Sequence, residues 1–268
     1  MFIKILSISI LLSIFLQAST YDLEDIKKDF YKKVVIHSNH KKSPNKFNLS
    51  ESYFNKAKIH LLKEQDNFTY TQFVALVDLS QQVLVLTIWD NDEKDFFPIG
   101  FDYISSGDIN REIETKTGED HYVKTPAGLF DIKSGWRSDG KMNDENTTKP
   151  YGNKGRFVFF FGIQDSVRYN SFDKDGKKIK DKKKWILIKD KLSLAMHAHS
   201  LRETLGKPQS HGCIRMSEEL NKFLDNNFVF FANLLDGEKW THPYEPKPKN
   251  PKNYQLAGKY VLIIDSVF

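Results

Sequence analysis

From Phe68 onward the chain is a succession of short runs rich in β-branched and aromatic residues, each closed by turn-forming residues. No other feature constrains the fold as strongly. "FVALVDLSQQVLVLTIWD" holds two such runs around "DLSQQ" and reads as a β-hairpin. "KDFFPIGFDYISSG" continues the strand character, and "KTPAGLFDIKSGW" sets a Pro-x-Gly turn before another short strand. "GRFVFFFGI" is apolar enough for a strand buried on both faces. "KWILIKDKLSLAMHAH" reads as two further strands, and "GKYVLIIDSVF" closes the chain as a strong apolar strand. Strands separated by turns, without a helix after each, predict a mainly β fold of sandwich or barrel type with a few short helices. The clear helix of this half is "SEELNKFLDNNF", where Ser217 supplies an N-cap and Glu218 and Glu219 sit favourably in the first turn.

The pattern before Phe68 is different. Residues 20–67 predict a small helical region, a cap or spacer without chemistry of its own. Leu23, Ile26, Phe30 and Val34 recur at helical spacing. Ser50 can cap a second helix carrying Phe54, Ala57, Leu61 and Leu62, and the polar "HSNHKKSPNK" between them is a loop. Residues 1–19 have Lys4, then an apolar run from Ile5 to Leu16, then Ala18 and Ser19. That run is shorter than the roughly 18 residues a bilayer span needs, and it has the layout of a signal peptide. An uncleaved anchor is the other reading, because no A-x-A site follows. The catalytic part is therefore expected over 68–268, after export, with no integral span once the signal is removed.

Composition narrows the partners. Apolar residues at 40% and aromatics at 13% suffice for a full core. Lys and Arg number 40 against 35 Asp and Glu, a mild basic bias that suits an anionic polymer such as cell wall. Nucleic acid fits poorly, because the basic residues are interleaved with acids. Two stretches look like surface features: the lysine-rich "DKDGKKIKDKKK" at 173–184, and the Pro-, Lys- and Asn-rich run from Asn233 to Gln255.

The chain uses cysteine once, at Cys213, with three of its eight histidines close by in "MHAHSLRETLGKPQSHGCIRM". In an oxidising compartment thiols usually occur in pairs, so a lone one signals an intermolecular bridge or a reactive group. Cys213 is expected at a strand-to-helix turn, where backbone N–H groups can face an anion, and Gly212 permits close backbone approach. His197 lies sixteen residues earlier at the end of an apolar strand, and Gly206 and Pro208 let the chain turn back. Three readings fit these residues. Cys213 is a nucleophile activated by His197; or His197, His199, His211 and Cys213 hold zinc; or all four are structural.

The stretch from His197 through "SHGCIRM" resembles the catalytic signature of the L,D-transpeptidases, the YkuD-like domain of bacterial cell walls. "VDLSQQVLVL", "KTPAGLFDI" and "GKYVLIID" are similar to the family's opening hairpin, T-P-x-G segment and closing strand. The resemblance runs from about Phe68 to the C-terminus, with insertions expected near 131–190 and 233–257. It implies a β-sandwich-like catalytic domain with Cys213 as nucleophile and His197 as base. The Ala198 carbonyl would orient the imidazole, although many members have Gly followed by Thr or Ser where this chain has Ala198 and His199. His211, Gly212 and the N–H of Cys213 would line the oxyanion hole. Ser210, Arg215 and His199 are expected to contact substrate, with Arg215 equally suited to fixing local structure.

The implied reaction uses no metal or organic cofactor. Cys213 attacks residue three of a peptidoglycan tetrapeptide stem and expels D-alanine. An amine then takes the acyl group to give a 3→3 crosslink; water instead would make the protein an L,D-carboxypeptidase. A lysine of a cell-wall-associated protein is a third acceptor. A silent wall-binding module and a zinc hydrolase are the alternatives from other classes.

Overall fold

The computed structural model describes residues 21–38, 46–110, 122–235 and 255–266. The expected signal segment and most of the expected 233–257 insertion lie outside these residues. Strands β1 (Gln72–Asp78) and β2 (Val83–Asp90) form the antiparallel hairpin read from the sequence, with Leu76 opposite Val85. Every residue of both strands is buried, which explains their near-continuous apolar runs.

The other strands extend this hairpin in both directions. The closing strand β9 (Tyr260–Ile264) lies parallel to β1, and β4 (Gly128–Asp131) pairs with its far edge. On the other side β3 (Asp95–Ser105) pairs with β2, but its last two residues pair with β8 (Ile214–Met216). Strand β8 runs parallel to β7 (Ile186–Ala198), which pairs with β6 (Phe157–Asn170), and β5 (Ser134–Arg137) ends the series. The nine strands make one sheet, ordered β4-β9-β1-β2-β3-β8-β7-β6-β5 and curled into a half-barrel. The fold is mainly β with a few short helices, as expected from a sequence that read as a sandwich or barrel.

Both faces of the central strands are covered. The concave side gathers Ala75, Leu86 and Val261 from one half of the sheet with Phe159, Leu194 and Ile214 from the other. On the convex side Leu76, Val85 and Leu262 pack under Phe54, Ala57 and Leu61 of helix α2 (Glu51–Leu62). Helix α1 (Leu23–Phe30) runs on into a π-helical turn, Tyr31–Val35, and Phe30 and Val34 enter the concave core. The Phe30 ring meets Phe223 of α3 (Glu218–Asn226) edge-on at 5.1 Å. It lies so close to β3 that a Cβ on Gly100 would fall 2.6 Å from it. Of the two expectations, cap or spacer, the packing of Phe30, Val34, Phe54, Ala57 and Leu61 into the core fits the cap. Both expected caps form: Ser50 Oγ accepts from Tyr53 N and Ser217 Oγ from Leu220 N.

Two strand assignments change. "KWILIKDKLSLAMHAH" is one strand, β7, because its central "KDK" is no turn. Lys191 pairs with Asp165 and Asp190 with Arg168 across the β6–β7 ribbon, which keeps these charges inside a regular ladder. Within 131–190, where insertions were expected, β5 and β6 take places in the sheet, and loop 138–156 and the ribbon end 171–185 stand outside it.

Candidate active site

The site is built where β7 and β8 run side by side. Their register pairs Met196 with Ile214, His197 with Arg215 and Ala198 with Met216. Met196, Ala198, Ile214 and Met216 are fully buried. Strand alternation therefore sends His197 and Arg215 to the opposite face, and Cys213, two residues before Arg215, joins them there. Cys213 is partly exposed, and its thiol donates to the Ser193 carbonyl at 3.4 Å.

His197 is buried, although it faces away from the core, because loop 138–156 folds over it. The Tyr151 ring meets the imidazole edge-on, with centroids 5.0 Å apart. The Nδ1 atom lies 2.8 Å from the Ala198 carbonyl oxygen. A carbonyl only accepts, so Nδ1 carries the proton of the neutral ring and Nε2 is left as the basic atom. The resemblance implied that this carbonyl orients the ring, and the contact is present.

The loop carrying Cys213 is tied from several sides. Ser210 is buried; its Oγ donates to the Cys213 carbonyl and accepts from Gly212 N. Thr125 Oγ1 donates to the Gly212 carbonyl at 2.6 Å and accepts from Gly107 N at 2.8 Å. Gly212 has φ +136°, and a Cβ there would lie 2.8 Å from Leu192.

Several sequence expectations need correction. The Gly212 N–H is spent on Ser210, so Gly212 sets the turn and does not line an oxyanion hole. Ser210 likewise shapes the loop, because its hydroxyl is committed within it. Cys213 precedes strand β8, not a helix: α3 begins five residues later, and its cap is turned to Leu220 and to Asp102. His199 is buried, with Nδ1 accepting from Leu201 N, so one of its two ring nitrogens is committed within the loop. Arg215 donates to the Gln209 carbonyl at 3.3 Å, a contact that fits its local structural role. His211 is exposed and meets Tyr122 edge-on at 4.5 Å. Among the described residues no group of three or more His, Cys, Asp or Glu side chains is arranged to hold a metal ion.

Burial dominates the electrostatics. It pushes the Cys213 thiol above its usual range, against the Ala195 backbone N–H and the Arg215 charge, which favour the thiolate. Burial also takes His197 down to about 4, helped by Arg215 and opposed by the carbonyls of Ala198 and Pro150. His199 falls to about 3 through burial, Arg215 and His197. Both shifts favour the neutral forms, thiol and imidazole, over a thiolate–imidazolium pair.

Sequence reasoning missed Tyr151, Thr125 and the β7 edge at Ser193 and Ala195. "TTKPYGNKG" signals only a turn, and nothing in it tells that Tyr151 will lie on an imidazole. Thr125 sits in the quoted "KTPAG" segment, which was a usable clue.

The L,D-transpeptidase catalytic domain family, YkuD, matches residues 72–229. That is more than half of the chain, and the chain belongs to this family. No curated protein matches it. Among solved structures the chain is similar to L,D-transpeptidase 3 of Mycobacterium tuberculosis, at 16% identity over 73% of this chain and 62% of that one, TM-score 0.30. An L,D-transpeptidase of Mycobacterium smegmatis is 10% identical over 72% and 59%, TM-score 0.29. A Bdellovibrio bacteriovorus protein is 16% identical over 74% and 49%, TM-score 0.34. The chain thus spans between 49% and 62% of the length of these relatives.

Proposed function

We propose that the protein is an exported peptidoglycan L,D-transpeptidase, a cysteine acyltransferase with Cys213 as nucleophile and His197 as base. One observation supports the reading: the β7–β8 register and strand alternation put both side chains on one face, with Cys213 partly exposed as a residue and the imidazole against the Ala198 carbonyl. Nε2 takes the thiol proton as the sulfur attacks, which fits the shift of both groups toward their neutral forms. The new C–S bond forms at the carbonyl of residue three of a tetrapeptide stem. The C–N bond to D-alanine then breaks, and the imidazolium returns its proton to the leaving amine. An acceptor amine on a second stem attacks the thioester, its proton passes to His197, and the thiolate leaves. Water in place of that amine gives a tripeptide and makes the protein an L,D-carboxypeptidase.

The surroundings suit a peptide attached to sugar. Trp136 and Tyr151 are both partly exposed and lie edge to face at 6.0 Å, and Phe160 continues the row at 6.0 Å from Trp136. Starting at His197, they make an aromatic wall along the open face. The N-terminal apolar segment fits delivery to the wall, and among the described residues no helix is long and apolar enough to cross a membrane.

The test is mass spectrometry of products from purified disaccharide tetrapeptide, with and without an acceptor stem. A crosslinked dimer is the expected product; tripeptide alone assigns the carboxypeptidase. No D-alanine release under either condition overturns the enzyme reading. A carbapenem should add its mass to Cys213 and to no other residue.

A further inference from the structure

The distal end of the β6–β7 ribbon has no part in the chemistry above, yet its build is specific. Beyond the site the ribbon leaves the core: none of residues 162–170 of β6 or 186–191 of β7 is buried. Both of its faces are open there. Ile186 and Leu187 are adjacent and so point to opposite faces, and they are 61% and 51% exposed. Large aliphatic side chains open on both faces of a strand end are not the residues a solvated hairpin selects.

The tip beside them is strongly basic and structured. Residues 173–184 hold seven lysines against three aspartates. Asp173 Oδ1 is turned inward to the backbone N–H groups of Asp175 and Lys177, and Asp181 Oδ1 to that of Lys183. A 3-10 turn presents Lys182, Lys183 and Lys184. Trp185 then folds back, donating Nε1–H to the Ile179 carbonyl at 2.9 Å, with the Lys182 ammonium 5.2 Å from its ring. Tyr169 lies 6.2 Å from Trp185 on the neighbouring strand.

We infer that this ribbon end docks on an anionic lipid surface. A soluble polyanion would need only the charge. The pairing of a lysine cluster with exposed Ile186 and Leu187 and an amphipathic Trp–Tyr pair fits an interface that offers both anionic headgroups and an apolar layer. The lysines engage phosphate at headgroup level, and the two aliphatic side chains enter just below. The geometry has a consequence for the site. Seven residues separate Ile186 from Ser193, whose carbonyl meets the thiol. At ~3.3 Å per residue the docked ribbon holds Cys213 roughly 23 Å above the lipid.

Vesicle co-sedimentation of the full chain tests this, with phosphatidylcholine alone against phosphatidylcholine carrying about one-third phosphatidylglycerol. Residues 1–19 are common to every sample, so the readout is the difference between lipids and between variants. The wild-type chain should bind the anionic vesicles at least ~10-fold more tightly, and added salt should erase the difference. Lys182→Glu/Lys183→Glu/Lys184→Glu should remove that preference. Ile186→Ser/Leu187→Ser should weaken binding several-fold while leaving its salt dependence in place. Both variants should release D-alanine from soluble muropeptide at the wild-type rate, which also reports that they fold. Binding by the triple lysine variant equal to wild type overturns the docking. So does retention of the wild-type chain by polyphosphate with none by either vesicle.

Discussion

The two ends of strand β7 behave as different materials. From Leu194 to Ala198 every residue is buried, and the outward-facing imidazole is roofed by a loop. From Ile186 to Lys191 nothing is buried, and the ladder is held by its own backbone bonds and by cross-strand ion pairs. At the first end burial shifts both Cys213 and His197 toward their neutral forms. At the second, the Lys191–Asp165 pair remains in water and the Arg168–Asp190 pair is only partly shielded, so these charges are worth little to stability. The same run of chain can therefore carry a reactive group at one end and a solvated surface at the other. The predictions below change one end at a time.

Cys213→Ala should have the largest effect. It should abolish D-alanine release, at least ~10³-fold below wild type, since no other thiol exists in the chain. The midpoint of thermal unfolding should move little, because the thiol's bond to the Ser193 carbonyl is long at 3.4 Å and alanine keeps the Cβ. Full activity in this variant, measured by amine release, would end the proposed mechanism.

His197→Gln should lower the acylation rate by roughly 10²- to 10⁴-fold. It should also change how stability responds to pH. The folded pKa of about 4 lies below the ordinary value, so on acidification the unfolded chain takes up this proton first. Stability from this group is fully present above roughly pH 6.5 and is lost as pH falls toward 4. Its size is on the order of 3 kcal/mol. His199 acts in the same direction at lower pH. Urea midpoints at about pH 7 and pH 4.5 should therefore lie closer together in His197→Gln than in wild type. An unchanged gap would mean that His197 is not held neutral.

Thr125→Val comes next. It removes the donor to the Gly212 carbonyl and the acceptor for Gly107 N in a buried place, at a cost of about 1–3 kcal/mol. Activity should fall with it, since the loop that aims Cys213 loses a tie. Tyr151→Ala should raise KM several-fold, and Tyr151→Phe should restore most of that by keeping the ring edge on His197. A loss in Tyr151→Phe as deep as in Tyr151→Ala would assign the work to the hydroxyl, not the ring.

How much of this was legible in the sequence follows the same division. Elements with a local cause could be read: the β1–β2 hairpin from its apolar runs, α2 and α3 from Ser50 and Ser217, and β9 from "YVLII". The pairing of His197 with Cys213 on one face could only be suspected, because it depends on the parallel register of β7 with β8. The single continuous β7 was hidden because "KDK" looks like a turn unless its cross-strand partners are known. Tyr151 was invisible for a related reason: its importance comes from where loop 138–156 lands, and no periodicity encodes that. The role of Gly212 was misjudged because φ and the fate of its N–H are properties of the folded loop.

The smallest expected effect lies at the open end of β7. Arg168 Nε donates to Asp190 Oδ2 at 2.6 Å, and the two side chains keep 17% and 24% of their surface. A strong geometric bond in a half-solvated place is the case where distance and energy part company. Desolvation offsets much of the attraction, and two long side chains lose freedom to hold it. Arg168→Ala should cost no more than ~1 kcal/mol, and its rate of D-alanine release should match wild type. Denaturant titration at low and at high salt checks this, since any contribution from the pair should shrink as salt rises. A loss well beyond that value, or one indifferent to salt, would mean that the ribbon's outer half is tied to the core after all. The contrast between the two ends of the strand would then fail.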